Sequence, residues 1–285
     1  MFVASTNGPI IMTNKLNKVR SKPFNATRVP TFFTFAVVCI FILYAPMLPL
    51  VFYSFNSGSS LSLWEGFSWR WYQVAWQNSH VQEVTWRSLY LAFQASLYST
   101  VLATMAALGT TRTKKYKGQS LIYALINQPL MVPEVVTAVA LLIFFASIKV
   151  ATGYTGMAYL VLAHTAFCIP FAYLPIRARL ENMDLNLEHA AADLYASPWR
   201  VFRRVTLPLL FPGILAGAML AFVISLDDVV ITEFVKTAGQ DTLPTYMLGQ
   251  LRRVLTPEIH AISSVLLAIS VTLVGLLFLM SKKES

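Results

Sequence analysis

The chain has 285 residues, of which 56% are hydrophobic and only 12% charged, and its mean hydropathy is +0.59. That balance lies outside the ordinary range of water-soluble proteins and leaves no room for a large soluble domain. The formal net charge of +9 would suit a nucleic acid if the basic side chains formed one patch, but they cluster beside apolar runs, so no nucleic acid is expected as a partner.

A bilayer core about 30 Å thick takes roughly 20 apolar residues per helical span, which gives the chain room for about six. A basic segment with Lys15, Lys18, Arg20, Lys22 and Arg28 precedes the first apolar run, residues 31–53. The run is too long for the core of a signal peptide and no small-residue cleavage pattern ends it, so residues 1–30 read as a tail before an uncleaved span. Next comes a segment holding Trp64, Trp69, Trp71, Trp76 and Trp86. Amphipathic rings of this kind rest at headgroup level, and the competing reading is a docking surface for an external partner.

The second run covers 88–108 and the third 121–148. The third contains Pro129 and Pro133, each of which removes a backbone donor, so this helix should kink or break there. Glu134 sits at that irregularity, either lining a permeation path or pairing with a neighbouring helix. The fourth run is 154–174. A polar but helix-favouring segment, 177–207, then carries Asp184 as a helix N-cap and Ser197 followed by Pro198 as the start of a second short helix. Two amphipathic helices are expected, lying on anionic lipid or docked in a groove of another protein.

The fifth run is 207–226, and directly after it stand Asp227 and Asp228. Adjacent carboxylates among apolar residues favour a cationic ligand or a basic partner, whereas a plain solvated loop would need no apolar sequence after them. The sixth run, 260–280, precedes a tail at 282–285. Cys39 and Cys168 each lie inside an apolar run and read as small packing residues, with neither a disulfide nor a metal spacing. No metal site is expected.

Among the 22 Lys and Arg residues, only Arg70, Arg87, Lys149, Lys236, Arg252 and Arg253 fall between runs one and two, three and four, or five and six. The remainder, including Arg112, Lys114, Lys115, Lys117, Arg177, Arg179, Arg200, Arg203, Arg204, Lys282 and Lys283, lie on the opposite side. The positive-inside rule then places both termini in the cytoplasm.

The stretch His189, Ala190, Ala191, Ala192, Asp193, Leu194, Tyr195, closing on Val205, Thr206, Leu207 and Pro208, resembles the cytoplasmic motif of type I ATP-binding-cassette importer permeases. That motif reads Glu-Ala-Ala, three residues, Gly, nine residues, then hydrophobic-x-Leu-Pro. Its spacing is intact here, but His189 replaces the Glu, Glu188 stands one residue early, and Tyr195 replaces the Gly. Tyr tolerates positive φ poorly, so Ala196, Ser197 and Pro198 are expected to redirect the chain instead of a tight turn. Phe52 to Asn56, Trp71 with Tyr72, Pro133 with Glu134, Ala163 to Cys168, Ser225 to Val230 and Pro257 to Ile259 are similar to the spermidine/putrescine permease subfamily, over roughly residues 30–280.

The resemblance implies an all-α integral membrane protein with about six transmembrane helices of the type I importer permease fold and short cytoplasmic coupling helices. The transmembrane permease domain would cover 31–281, with the coupling segment at 177–207, in a bacterial cytoplasmic (inner) membrane. The implied partners are a homologous second permease subunit, two ATPase subunits, an extracytoplasmic polyamine-binding protein and membrane lipid. No cofactor belongs to this chain, because ATP and Mg would sit on the ATPase. His189, Ala190, Ala191, Asp193, Leu194, Tyr195, Ala196, Leu207 and Pro208 would couple to that ATPase. Glu134, Asp227 and Asp228 are the candidates for the substrate path, since a polyamine joins several ammonium groups through apolar methylenes. Catalytic residues are not expected: there is no Walker loop, no His-Glu-x-x-His and no nucleophile elbow. Alternative readings are a permease for ferric ion, thiamine or an organophosphonate, or a gated channel subunit.

Overall fold

Backbone amides inside hydrocarbon have no water to bond, so an apolar run that crosses a bilayer must close its hydrogen bonds within itself, as a helix. The computed structural model of the chain describes residues 30–60, 63–113, 116–253 and 257–282, and its described residues are overwhelmingly helical. Lys15 to Arg28 of the expected N-terminal tail, together with Lys114, Lys115, Lys283 and the end of the C-terminal tail, lie outside the described residues.

The chain divides into two units, residues 1–48 and 49–285. Within the first, α1 (Pro30–Tyr44) is apolar all round, and Phe33, Phe35, Ile40 and Phe41 are all exposed, which is the surface a lipid-facing helix needs. Cys39 is exposed on it too, so the expected packing role does not hold for this cysteine. A further helix, α2 (Met47–Tyr53), begins at the end of this unit.

The second unit carries α3 (Arg70–Gln77), α4 (Ser79–Thr111), α5 (Gln119–Met131), α6 (Glu134–Thr152), α7 (Ala158–Asn182), α8 (Leu185–Asp193), α9 (Pro198–Val201), α10 (Leu207–Asp227), α11 (Val230–Val235), α12 (Leu243–Arg253) and α13 (Glu258–Lys282). Among the described residues five helices are long and apolar enough to cross a membrane, at Ser79–Thr111, Glu134–Thr152, Ala158–Asn182, Pro198–Asp227 and Glu258–Leu276, and α1 with α2 supplies a sixth if the pair is one broken span.

The centre is the packing of α4, α7 and α10 on one another. Lipid tails are as apolar as Leu, so helices in a bilayer associate where small residues let backbones approach. Ala92, Ala95, Ala103 and Ala107 of α4 are fully buried, and Ser96 Oγ donates to the Ala218 carbonyl at 2.6 Å. On α10, a Cβ placed on Gly217 would lie 2.7 Å from the Ala172 carbonyl oxygen of α7, and one on Gly213 would lie 2.7 Å from Arg179 Cβ. Cys168 is buried in the same seam, its thiol 3.5 Å from the Ala221 carbonyl, in the packing role expected for it.

One expectation is met and one changes. The run 121–148 is not one helix: α5 ends at Met131 and α6 starts at Glu134, with extended backbone at Val132 and Pro133 between them, as the two prolines require. The second short helix of the polar segment is not separate either. It runs from Pro198 through a π-helical turn, Phe202–Thr206, straight into α10.

Candidate functional site

The break between α5 and α6 places Glu134 in the first turn of α6, half-buried. A carboxylate there meets the positive end of the helix dipole. Short helix α11 packs against α6, and before it stands Asp228, whose carboxylate serves the free amides of α11. Its Oδ1 accepts from Ile231 N at 3.3 Å, and its Oδ2 accepts from Thr232 N at 2.9 Å and Thr232 Oγ1 at 2.8 Å. The Glu134 carboxyl lies within electrostatic reach of Asp228. Two carboxylates brought that near repel one another, which favours a cation between them.

Asp228 is 6% exposed, and His164 of α7, 1% exposed, lies beside it. His164 Nε2 is 2.9 Å from Thr232 Oγ1 and 3.4 Å from Asp228 Oδ2, while Nδ1 is 2.8 Å from Ser225 Oγ. Thr232 already gives its hydroxyl proton to Asp228, so it accepts from Nε2–H, and Nδ1 accepts from Ser225. One histidine thus joins α7 to α10 and α11. Besides lying in the stretch Ala163 to Cys168, its signal in the sequence is that of an ionisable residue inside an apolar run, which needs a partner.

Asp227 parts from its neighbour. It is exposed on the side of α10 that faces α13, with Ser270 Oγ 3.4 Å from both of its carboxylate oxygens. The structure therefore brings Glu134 and Asp228 together and leaves Asp227 apart. None of the three lines the polar cavity of about 620 Å³ among His80, Glu233, Lys236, Asp241, Tyr246 and Arg252. The apolar groove of about 940 Å³ bordered by Trp69, Trp76, Trp86 and Ile262 excludes them as well. Trp71 is not an interfacial ring: it is buried and its Nε1 donates to the Gly58 carbonyl at 3.1 Å.

The coupling segment forms around α8. Asp184 caps it, accepting from Asn186 N at 2.9 Å. Its other end closes as expected of a glycine: Tyr195 has φ +57°, Tyr195 N donates to the Ala192 carbonyl and Ala196 N to the Ala191 carbonyl. Those two bonds define a Schellman turn. The tight turn is kept with Tyr at its left-handed position, so Ala196, Ser197 and Pro198 do not replace it. Leu194 is 82% exposed, Tyr195 97% and Trp199 68%. His189, Ala190, Asp193 and Pro208 are exposed as well, whereas Ala191, Ala196 and Leu207 are half-buried. Among the described residues no group of His, Cys, Asp and Glu could hold a metal ion.

A bundle of bilayer-length helices with two carboxyls gathered at a broken span, and with an exposed, capped α8 helix, has the form of a multi-pass membrane protein. Residues 99–282 match the binding-protein-dependent transport system inner membrane component family, and the chain belongs to it. It is 37% identical over 276 residues to the putrescine transport system permease protein PotI of Escherichia coli K12, covering 95% of each chain. It is 32% identical to the spermidine/putrescine transport system permease protein PotC of Haemophilus influenzae, covering 88% of this chain and 96% of that protein. The fold is similar to a bacterial ABC transporter involved in import of the acidic polysaccharide alginate, with TM-score 0.64, 16% identity, and 90% of this chain and 94% of that one covered.

Proposed function

We propose that the chain is one of two permease subunits of an ATP-driven importer that moves a polyamine, putrescine or spermidine, across the cytoplasmic membrane by alternating access. The neighbouring carboxyls of Glu134 and Asp228, brought together where α11 packs against the start of α6, carry this reading, because two carboxylates facing one another suit an ammonium group between them. Glu134 is the substrate-facing member. Asp228 holds the start of α11 and orients Glu134, and Asp227 serves at most at the edge of the path. The names of the two relatives support the same solute class.

The partners in this reading are a homologous permease subunit, two ATPase subunits that hold ATP and Mg, and an extracytoplasmic binding protein. Helix α8 docks into a groove of the ATPase through Leu194 and Tyr195, large apolar side chains that otherwise face water. In a reconstituted complex, Glu134→Gln should lower the rate of radiolabelled putrescine uptake about tenfold, the factor for one lost charge-assisted hydrogen bond. Asp227→Asn should change it far less. Unchanged uptake by Glu134→Gln would remove the pair from the path.

A further inference from the structure

Helix α8 has no fully buried residue and only Glu188 and Ala191 are half-buried, so little apolar packing holds it in place. Its position depends on its chain connections and on the polar contacts of one side chain, Glu188. Glu188 Oε1 accepts from Arg112 Nε at 3.3 Å and from Thr206 Oγ1 at 3.1 Å. Arg112 is the C-cap of α4, and Thr206, 5% exposed, ends the π-helical turn that leads into α10. The two side chains of the ion pair are only 18% and 20% exposed. Arg112 Nη2 is buried with no hydrogen-bond partner among the described residues, so this guanidinium relies heavily on Glu188.

We propose that Glu188 is the positioning residue that fastens α8 to α4 and α10 at once, so that a push on α8 moves both membrane helices together. The proposal rests on the reading of α8 as the ATPase-facing helix. One residue along a helix is a rotation of about 100°. Glu188 therefore faces the membrane helices, while His189, one step on, is exposed. The acidic side chain is turned inward as a fastener, and the neighbouring place is left to the partner. The π-helical turn belongs to the same device, because one extra residue per turn changes the direction in which the side chains before it point relative to those of α10.

The test uses the whole complex in proteoliposomes, scored for ATPase co-purification, ATP hydrolysis and putrescine taken up per ATP hydrolysed. Glu188→Gln should keep the ATPase bound and hydrolysing while uptake per ATP falls about fivefold or more, the lower end of allosteric coupling. The reversed pair Arg112→Glu with Glu188→Arg should restore most of the ratio, which a general loss of stability would not do. An unchanged ratio in Glu188→Gln overturns the proposal. If that variant loses the ATPase, Thr206→Val decides, since it removes one bond to the same carboxylate without altering charge: a lowered ratio supports the fastener and an unchanged one overturns it. Failure of the parent reading looks different, because then the unaltered chain would bind no ATPase.

Discussion

Tyr195 is the only non-glycine residue with positive φ among the described residues, and its ring is almost wholly exposed, so no packing repays the backbone conformation. The left-handed region costs an L-residue about 1–2 kcal/mol, and Gly escapes that cost while losing roughly 0.5–1 kcal/mol to its freer unfolded chain. Tyr195→Gly should therefore leave protection of the Ala196 amide unchanged or raise it by up to roughly 1 kcal/mol, whereas the β-branched Tyr195→Val should lower it by about 1 kcal/mol or more. Hydrogen exchange of the turn reads both. Any transport defect in Tyr195→Gly then belongs to the missing ring and not to the turn. Lys236 makes a second residue-scale case in the connection after α11, where Nζ bonds Glu233 Oε2 at 2.6 Å and Asp241 Oδ1 at 2.7 Å. Burial opposes its charge, but the bonds to Asp241 and Glu233 outweigh that and hold its pKa above the usual lysine value. The sign follows: the stabilisation is complete below the unfolded lysine value and is lost as pH rises through the folded one. Amine labelling of Lys236 should have a midpoint above that of an ordinary lysine, and Asp241→Asn should bring it down.

At the scale of the helix, glycine can be either a spacer or a weakness, and two positions separate the cases. A methyl on Gly217 would meet the Ala172 carbonyl of α7 at 2.7 Å, a backbone atom that cannot swing away, while a methyl on Gly109 in α4 meets nothing within 4 Å. Gly217→Ala should part α7 from α10 and destabilise by about 1–3 kcal/mol. Gly109→Ala should stabilise by up to about 1 kcal/mol through helix propensity alone. Detergent denaturation of the two variants checks the opposite signs. The Gly213, Gly217, Ala221 spacing that builds this seam is visible in the sequence, yet small residues at four-residue steps are common in any apolar run and gain meaning only from the facing helix. Pro129 and Pro133 were legible in full, because a missing donor acts locally. The continuation of α9 into α10 was not: Arg200, Arg203 and Arg204 make the stretch polar, but the exposed arginines 203 and 204 can keep their charged heads in water while the backbone stays helical.

For the whole molecule, hydropathy gives the runs because length and apolarity are additive along the chain, and the family motif survives because its spacing is local. The meeting of Glu134 with Asp228 was out of reach, since it depends on how α11 folds back against α6, and so was the parting of Asp227 from Asp228, which the end of α10 at Asp227 and the extended backbone at Asp228 decide. Orientation also belongs to this scale. Described basic residues Arg112, Lys117, Arg177, Arg179, Arg200, Arg203 and Arg204 gather at the α8 end, while Arg70, Arg87, Lys149, Lys236 and Arg252 lie at the other. A surplus of Lys and Arg in short loops is retained in the cytoplasm during insertion, so the α8 end should be cytoplasmic and the α11–α12 connection external. Single cysteines at two exposed positions test this, Leu194→Cys beside α8 and Ala238→Cys in that connection. Exposed Cys39 is first replaced by Ala, and buried Cys168 can stay. With a membrane-impermeant maleimide, Ala238→Cys should label in intact spheroplasts and Leu194→Cys only in inverted vesicles. The reverse pattern would turn α8 away from any cytoplasmic ATPase and would leave Glu188 with nothing to transmit.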